Sequence, residues 1–149
     1  MTVKSVIATV TARPAASIEV VTPGISVEWL YDRRIAAFTI LDFSPLGVAT
    51  WMGRLKTILT GWPAAQPCLC LADFSDPHAH FTPYMHVRAH ELQCARPDLT
   101  FCMALIFPRN HLTRLFQISR RGTRNYAELS RFFNREDGLA WLVNKLADH

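Results

Sequence analysis

Two short segments that are apolar at every position constrain the fold of this chain more than any other feature. The first is Cys68–Ala72, which lies between Pro67 and Asp73, and the second is Phe101–Phe107, which ends at Pro108. A short, uninterrupted apolar run is typical of a strand that is covered on both faces, as in a parallel sheet. We therefore expect these two strands to lie side by side in the middle of a sheet with helices packed on it.

Helical segments alternate with these strands. Ser44 followed by Pro45 predicts an N-cap with proline at the first helical position, and Gly61 predicts the end of that helix. Thr82 followed by Pro83 predicts a second helix in the same way, ending at a later proline. The first helix carries an apolar stripe at helical spacing, formed by Val48, Met52, Leu55 and Leu59.

The C-terminal part predicts two more helices with a strand between them. Asn110 can cap the third helix, and a short strand is expected around Leu129–Phe133. Asn134 with Asp137 three residues later is close to a capping box and predicts the start of the last helix. The predicted buried face of that helix consists of Leu139, Leu142, Val143 and Leu146.

A hairpin is predicted near the N-terminus. Val27–Tyr31 and Ile35–Leu41 have strand character and are separated by a short polar turn, while Ser17–Val21 can add a further short strand. Residues 1–16 are expected to be a leader or an extra edge strand. At 149 residues the chain has room for one domain. Residues 17–149 are thus predicted to form one α/β domain, with a mixed, mostly parallel sheet of about five strands, four helices and an N-terminal antiparallel hairpin.

The charge composition argues against a nucleic-acid partner. The formal net charge is +4 and the isoelectric point about 9.1, and much of the basic excess lies between Arg109 and Arg135. We interpret that stretch as a solvated helix and loop, because no aromatic-basic or zinc-finger motif accompanies it. No apolar run approaches the length of a membrane span, so neither a nucleic-acid partner nor a membrane span is predicted.

The cysteines are predicted to be reduced and buried. Cys68 and Cys70 are separated by one residue, so in a strand they point to the same face, and their spacing differs from a metal-binding pair. Cys102 lies in the second apolar run. Thiols that behave as small hydrophobes suit a reducing compartment. The stretch Met1–Ala16 lacks the apolar core of a secretory signal, and a cytoplasmic location is expected.

The order of elements, together with two short motifs, resembles a bacterial protein family. Phe133 to Leu142 reads as a phenylalanine, several polar residues and an Ala-Trp-Leu helix, and Leu71 to Ser75 reads as a strand that runs into an aspartate. Both are similar to the SpoIIAA-like, or STAS-type (sulfate transporter and anti-sigma factor antagonist), domains. The resemblance implies a STAS-like domain over residues 17–149 and a non-catalytic regulatory or protein-interaction role.

The family's phosphorylation motif is absent. Anti-sigma factor antagonists carry Asp-Ser-x-Gly at the start of the second helix, where the serine is phosphorylated, whereas this chain has Phe81-Thr82-Pro83-Tyr84. By resemblance, Thr82 is the hydroxyl in register for a phosphate, which a helix N-terminus would favour. Helix capping alone also explains a threonine at this position.

A binding surface is predicted where the first apolar strand ends. In open α/β sheets the carboxyl ends of the strands and the N-termini of the following helices form the usual ligand edge. The aspartates and serine that follow the strand are also common turn formers, and this alternative stays open. The predicted surface comprises Asp73, Ser75, Asp76, His78, His80, Phe81, Thr82 and Tyr84.

Enzymatic chemistry is not predicted. The chain has no nucleophile elbow, no phosphate-binding glycine loop and no paired-carboxylate motif, and we expect neither a catalytic residue nor a cofactor. His86 and His90 are four residues apart on a predicted helix and are the candidate ligands if the protein binds a metal. They lack the glutamate that zinc proteases place after the first histidine.

The leading hypothesis is a cytoplasmic, non-catalytic interaction module with an unidentified protein partner. The first alternative is a carrier of a small apolar ligand or lipid, and the second is a metal-binding protein that uses the histidine cluster. Edge strands near the N-terminus allow two copies to pair as a homodimer. The apolar-ligand alternative needs a pocket between sheet and helices, lined by Trp29, Trp51, Trp62, Phe81, Tyr84 and Phe107.

Overall fold

A six-stranded mixed sheet organises the described part of the chain. The computed structural model describes residues 18–79, 83–93, 95–108 and 127–148. The strands are β1 (Ile18–Thr22), β2 (Ile25–Leu30), β3 (Ile35–Ile40), β4 (Cys68–Asp73), β5 (Phe101–Ile106) and β6 (Ala127–Phe132). The helices of this part are α1 (Pro45–Thr60), α2 (Pro83–Gln93) and α3 (Arg135–Ala147).

The strands are ordered in space as they are in sequence, from β1 to β6. The pairs β1–β2 and β2–β3 are antiparallel, while β3, β4, β5 and β6 pair in parallel. The predicted hairpin is therefore confirmed. Cys68 pairs with Phe101 in the centre of the sheet, which confirms that the two apolar segments are neighbours.

The sheet has six strands where about five were predicted. The additional strand is β1, which corresponds to the optional segment Ser17–Val21 and pairs antiparallel with β2. Its large side chains Ile18 and Val20 are exposed, so the burial signal that marks the inner strands is weak there. The predicted leader, residues 1–16, and the predicted third helix after Asn110 lie outside the described residues.

Helices cover both faces of the sheet. On one face, α1 and α2 pack over alternate residues of β2 to β5, in a core that includes Phe38, Trp51 and Phe74. On the other face, α3 packs on β4, β5 and β6, and its Leu142 is fully buried. Parallel neighbours joined by right-handed crossovers put consecutive helices on one face, which explains why α1 and α2 share theirs.

The helix starts predicted at Ser44 and Asn134 are confirmed. The Gly47 N–H donates to Ser44 Oγ at 3.1 Å, and Pro45 occupies the first position of α1. The Asp137 N–H donates to Asn134 Oδ1 at 2.8 Å at the start of α3. Each cap satisfies one of the backbone donors that a helix leaves without an internal partner.

The predicted stripe of α1 is buried throughout, and α1 ends at Thr60, directly before Gly61. The helix α2 ends at Gln93, several residues before the proline at position 97 that was expected to stop it.

Cys68, Cys70 and Cys102 are free and buried, as predicted. The hydrogen bond with Cys68, together with burial, raises the pKa of the Cys70 thiol, and burial raises that of Cys102 to about 11, so both stay protonated.

Among the helices of the described residues, none combines the length and the hydropathy needed to cross a membrane.

Candidate functional site

The carboxyl ends of the four parallel strands form one edge of the sheet, and α1, α2 and α3 begin at this edge. The edge follows from topology, because each crossover helix starts where the preceding strand ends. It contains the predicted surface that begins at Asp73.

Asp42 fixes the turn between β3 and α1. Its Oδ1 accepts hydrogen bonds from the Ser44 hydroxyl at 2.7 Å and from the Ser44 N–H at 3.0 Å, and these bonds lower the pKa of the Asp42 carboxyl. Two glycines permit the close approach of this residue. A Cβ on Gly24 would lie 2.6 Å from Asp42 Cβ, and a Cβ on Gly47 would lie 2.5 Å from the Asp42 carbonyl oxygen. The turn is therefore tightly packed around one carboxylate.

Asp73, at the end of β4, anchors the turn that follows it. Its Oδ1 accepts the Ser75 N–H at 2.9 Å, and its Oδ2 lies 3.7 Å from Arg135 Nη1. Arg135 Nη2 also donates to Glu28 Oε1 at 2.8 Å. The carboxylate of Asp73 thus ties the end of β4 to α3, and through Arg135 to β2, which is a structural use of the group.

Sequence reasoning did not find Glu28 and Arg135. Glu28 lies on a strand that was read for its apolar pattern, and only the strand register brings it near Arg135. One local signal was available. Arg135 is the first residue of α3, where the helix dipole disfavours a positive charge, so a specific acidic partner was to be expected.

Asp76 and His78 form a second side-chain-capped turn. Asp76 Oδ1 accepts the His78 N–H at 2.7 Å and lies 3.2 Å from His78 Nδ1. The imidazole of His78 is 92% exposed, and Ser75 is exposed as well. These contacts agree with the interpretation of Asp73, Ser75 and Asp76 as turn-forming residues. The predicted site residues His80, Phe81 and Thr82 lie outside the described residues.

Tyr84 lies in the first turn of α2 and is 40% exposed. The guanidinium of Arg88 lies 6.0 Å from the centre of its ring, at the outer limit of a cation–π contact. His86 and His90 are on the same helix, but their side chains lie outside the described part of the structure. Among the groups that are described, no cluster of three or more His, Cys, Asp or Glu residues could hold a metal ion.

Large apolar side chains are exposed along this edge, and sequence reasoning missed most of them. They come from the end of β3, the first turn of α1, the start of α2 and the residue after β6. The exposed fractions are 54% for Leu41, 77% for Leu46, 40% for Tyr84, 55% for Val87 and 40% for Phe133. Leu46 offered a detectable signal, since a leucine one residue after the first helical position faces outward when the buried stripe begins at Val48.

Four of the aromatic residues expected to line an apolar pocket form two separate groups in the structure, and Phe81 lies outside the described residues. Trp51 and Phe107 both pack on Phe74, with ring centres 5.3 Å from it, inside the core. Trp29 and Trp62 stack on one another at the opposite, amino-terminal edge of the parallel strands. The pocket interpretation required these groups to converge.

Comparison of the chain with protein-family models, with curated proteins and with solved structures finds no match.

Proposed function

We propose that this chain is a non-catalytic interaction module of STAS type that binds a protein partner at the carboxyl ends of its parallel strands. The proposed contact region, the carboxyl-edge surface, consists of Leu41, Leu46, Tyr84, Val87 and Phe133. The proposal rests on the concentration of exposed apolar side chains at this one edge of the described structure.

Exposed large hydrophobic residues are concentrated at one edge of the described structure. Apart from Ile18 and Val20 in β1, all of those in the described residues belong to the carboxyl-edge surface. Single exposed hydrophobic residues are ordinary, but several from separate segments at one edge are typical of an interaction site. From β3 to β6 this edge spans about 15 Å, since neighbouring strands lie about 4.8 Å apart. That width fits a helix or an extended segment of a partner.

The polar groups of the edge favour a non-catalytic role. Asp42, Asp73 and Asp76 each accept a backbone N–H two residues further along the chain, which uses the carboxylates to shape turns. A general base needs a carboxylate that can reach a substrate proton. The turns they hold give the apolar side chains a fixed frame, which lowers the entropic cost of binding a partner.

The family and cellular location belong to the same proposal. The α/β architecture, with an N-terminal antiparallel hairpin and a mostly parallel sheet, supports the resemblance to STAS-type domains. The free thiols of Cys68, Cys70 and Cys102 suit a reducing compartment, which supports a cytoplasmic location.

Site-specific photo-crosslinking tests the proposed surface. A photoreactive amino acid replaces Leu46 or Tyr84 on the carboxyl-edge surface, or Lys56, an exposed residue further along α1, as the matched control. In cells of the source organism, we expect one protein to crosslink from positions 46 and 84 and not from position 56. Equal crosslinking from all three positions, or none above background, would refute the proposal.

The captured protein is then purified and its affinity measured. Leu46→Ser and Tyr84→Ser are each expected to weaken binding roughly tenfold, since removing a well-packed apolar anchor from an interface costs more than 1 kcal/mol. Lys56→Ser is expected to leave the affinity unchanged. Circular dichroism of each variant separates lost binding from lost folding.

A further inference from the structure

A cavity of about 380 Å³ opens at the opposite edge of the sheet from the carboxyl-edge surface. It lies between the turn joining β2 to β3 and the last turns of α1 with the loop that follows. Its volume is at the lower end of the range for small-molecule sites. The side chains that give it its chemistry are Trp29, Arg33, Arg34, Arg54, Trp62 and Gln66.

The three arginines that line the cavity differ in their acidic partners. The Nε of Arg34 is buried without a hydrogen-bond acceptor, and within the described structure its guanidinium forms no ion pair. The guanidinium of Arg33 lies 4.1 Å from the centre of the Trp29 ring, and its charge helps to lower the pKa of the Glu19 carboxyl without a direct ion pair. By contrast, Arg54 donates two hydrogen bonds of 2.9 Å to Glu19. A buried donor without an acceptor is costly, and an oxyanion would supply the missing acceptor.

The C-terminus of α1 points toward this edge, and its carbonyl groups would repel an anion. Arg96 caps part of this terminus, because its Nη1 donates to the carbonyl oxygens of Leu59 at 2.7 Å and of Trp62 at 3.2 Å, while the same guanidinium pairs with Asp98. The lining residues include three arginines and a single carboxylate, that of Asp32, which is exposed. The lining therefore has a positive balance.

Two tryptophans supply an apolar wall. The rings of Trp29 and Trp62 stack with centres 6.4 Å apart and planes 19° from parallel. Both residues are more than nine-tenths buried, and the Nε1 of each has no hydrogen-bond partner. Buried indole N–H groups usually find an acceptor, so both residues carry unused donor capacity beside the cavity.

The turn that carries the arginines has an unusual backbone. Tyr31, Asp32 and Arg33 have φ values of 52°, 55° and 63°, in the left-handed region that favours glycine. Residues held in this region concentrate at ligand-binding sites, where the surroundings hold them in place. Here the conformation places Arg33 over Trp29 and sets Arg34 beside the cavity.

We propose that this cavity binds a small organic anion. Its carboxylate or phosphate group pairs with the guanidinium groups of Arg33 and Arg34, and its apolar part contacts the small accessible area of Trp62. Guanidinium groups bind both oxyanions by paired N–H donors, so the two ligand classes share this recognition chemistry. The site does not depend on the protein-binding role proposed above, since it is formed by other residues at the other edge.

Titration of the ¹⁵N-labelled protein tests the site with three probes at constant ionic strength: benzoate, phenyl phosphate and inorganic phosphate. We expect saturable shifts of the Arg34 Nε–H signal and of the Trp29 and Trp62 indole signals for at least one organic probe. The indole signals of Trp51, which packs on Phe74, and Trp141, which packs on Phe132, serve as internal controls and should not move. Saturation by benzoate assigns a carboxylate ligand, and saturation by the phosphate probes assigns a phosphate ligand.

Variants separate specific binding from general charge effects. Arg34→Gln, and independently Arg33→Gln in the exposed turn, should each weaken binding at least tenfold, while Lys56→Gln removes one positive charge elsewhere and should not. Linear, non-saturating shifts with every probe would overturn the proposal, as would unchanged affinity in a folded arginine variant. If Arg34→Gln does not fold, Arg33→Gln decides.

Discussion

Two glycines in the same helix should respond in opposite directions to replacement by alanine. Gly47 lies in the first turn of α1 and Gly53 in its middle, and neither has a positive φ. A Cβ on Gly53 would meet nothing within 4 Å, whereas a Cβ on Gly47 would lie 2.5 Å from the Asp42 carbonyl oxygen. The pair therefore separates helix propensity from close packing within one element.

The expected magnitudes follow from these two environments. Gly53→Ala should raise the free energy of unfolding by about 0.8–1 kcal/mol, the difference in helix propensity between the two residues. Gly47→Ala gains at most the same amount and must displace backbone, which costs about 1–3 kcal/mol as overpacking. We expect a net loss of about 1–2 kcal/mol. For a chain of this size, each kcal/mol changes the melting temperature by about 2–4 °C.

Urea unfolding followed by far-ultraviolet circular dichroism and by tryptophan fluorescence measures both variants. The two probes should give coincident transitions with unchanged slope, so that the shift in midpoint reports stability. If Gly47→Ala stabilises the protein as much as Gly53→Ala, our inference that Asp42 packs closely between two glycines is wrong. The carboxyl-edge surface would then lack the rigid frame that we assign to it.

Two further predictions concern other elements. Asn134→Ala should destabilise the protein by about 1 kcal/mol, because the Asp137 N–H loses its acceptor. Asn144→Ala, on the exposed side of the same helix, is the control and should be neutral or slightly stabilising. Equal shifts of the melting temperature in the two variants would contradict the capping role of Asn134. The hydrogen bond from Arg54 lowers the pKa of Glu19, so its contribution to stability is present above the ordinary pKa of about 4.3 and is lost as pH falls through the lowered value. The free energy of unfolding, measured at several pH values, should therefore fall less steeply toward acid pH in Glu19→Gln than in the wild type. If the two curves of stability against pH are parallel, the ion pair does not contribute in this way.

Local sequence signals were sufficient for most of the sheet and for two helix starts. Cys68–Ala72 reads as a doubly covered strand because every side chain on either face must avoid water, and all of them are buried in the structure. Ser44 and Asn134 were recognisable because a short polar side chain before an apolar stripe satisfies the first backbone donors of a helix. Such signals lie within a few residues and need no knowledge of the tertiary structure.

Contacts between distant segments could not be predicted in the same way. Glu28 and Arg135 are separated by 107 positions, and only the complete strand order brings them together. The ion pair of Arg54 with Glu19 likewise depends on α1 lying across β1. At the predicted surface, the sequence identified Asp73 and Asp76 but could not distinguish groups that bind a partner from groups that shape turns. Their hydrogen bonds to Ser75 and His78 favour the second role.

The strand order also explains why the two edges of the sheet suit different ligands. Small-molecule sites in open α/β sheets form at the carboxyl edge where the strand order reverses, because neighbouring helices then lie on opposite faces and leave a crevice. From β3 to β6 the order runs in one direction, and α1 and α2 share a face, so the described strands contain no such reversal. A surface without that crevice favours a macromolecular partner for Leu46 and Tyr84. At the amino edge, the turn Tyr31–Arg34, the end of α1 and the loop after it meet without closing, and the resulting cavity is small and positively charged. If the anion probes bind saturably at the carboxyl edge instead, the topological argument is wrong for the protein-binding surface and for the anion site alike.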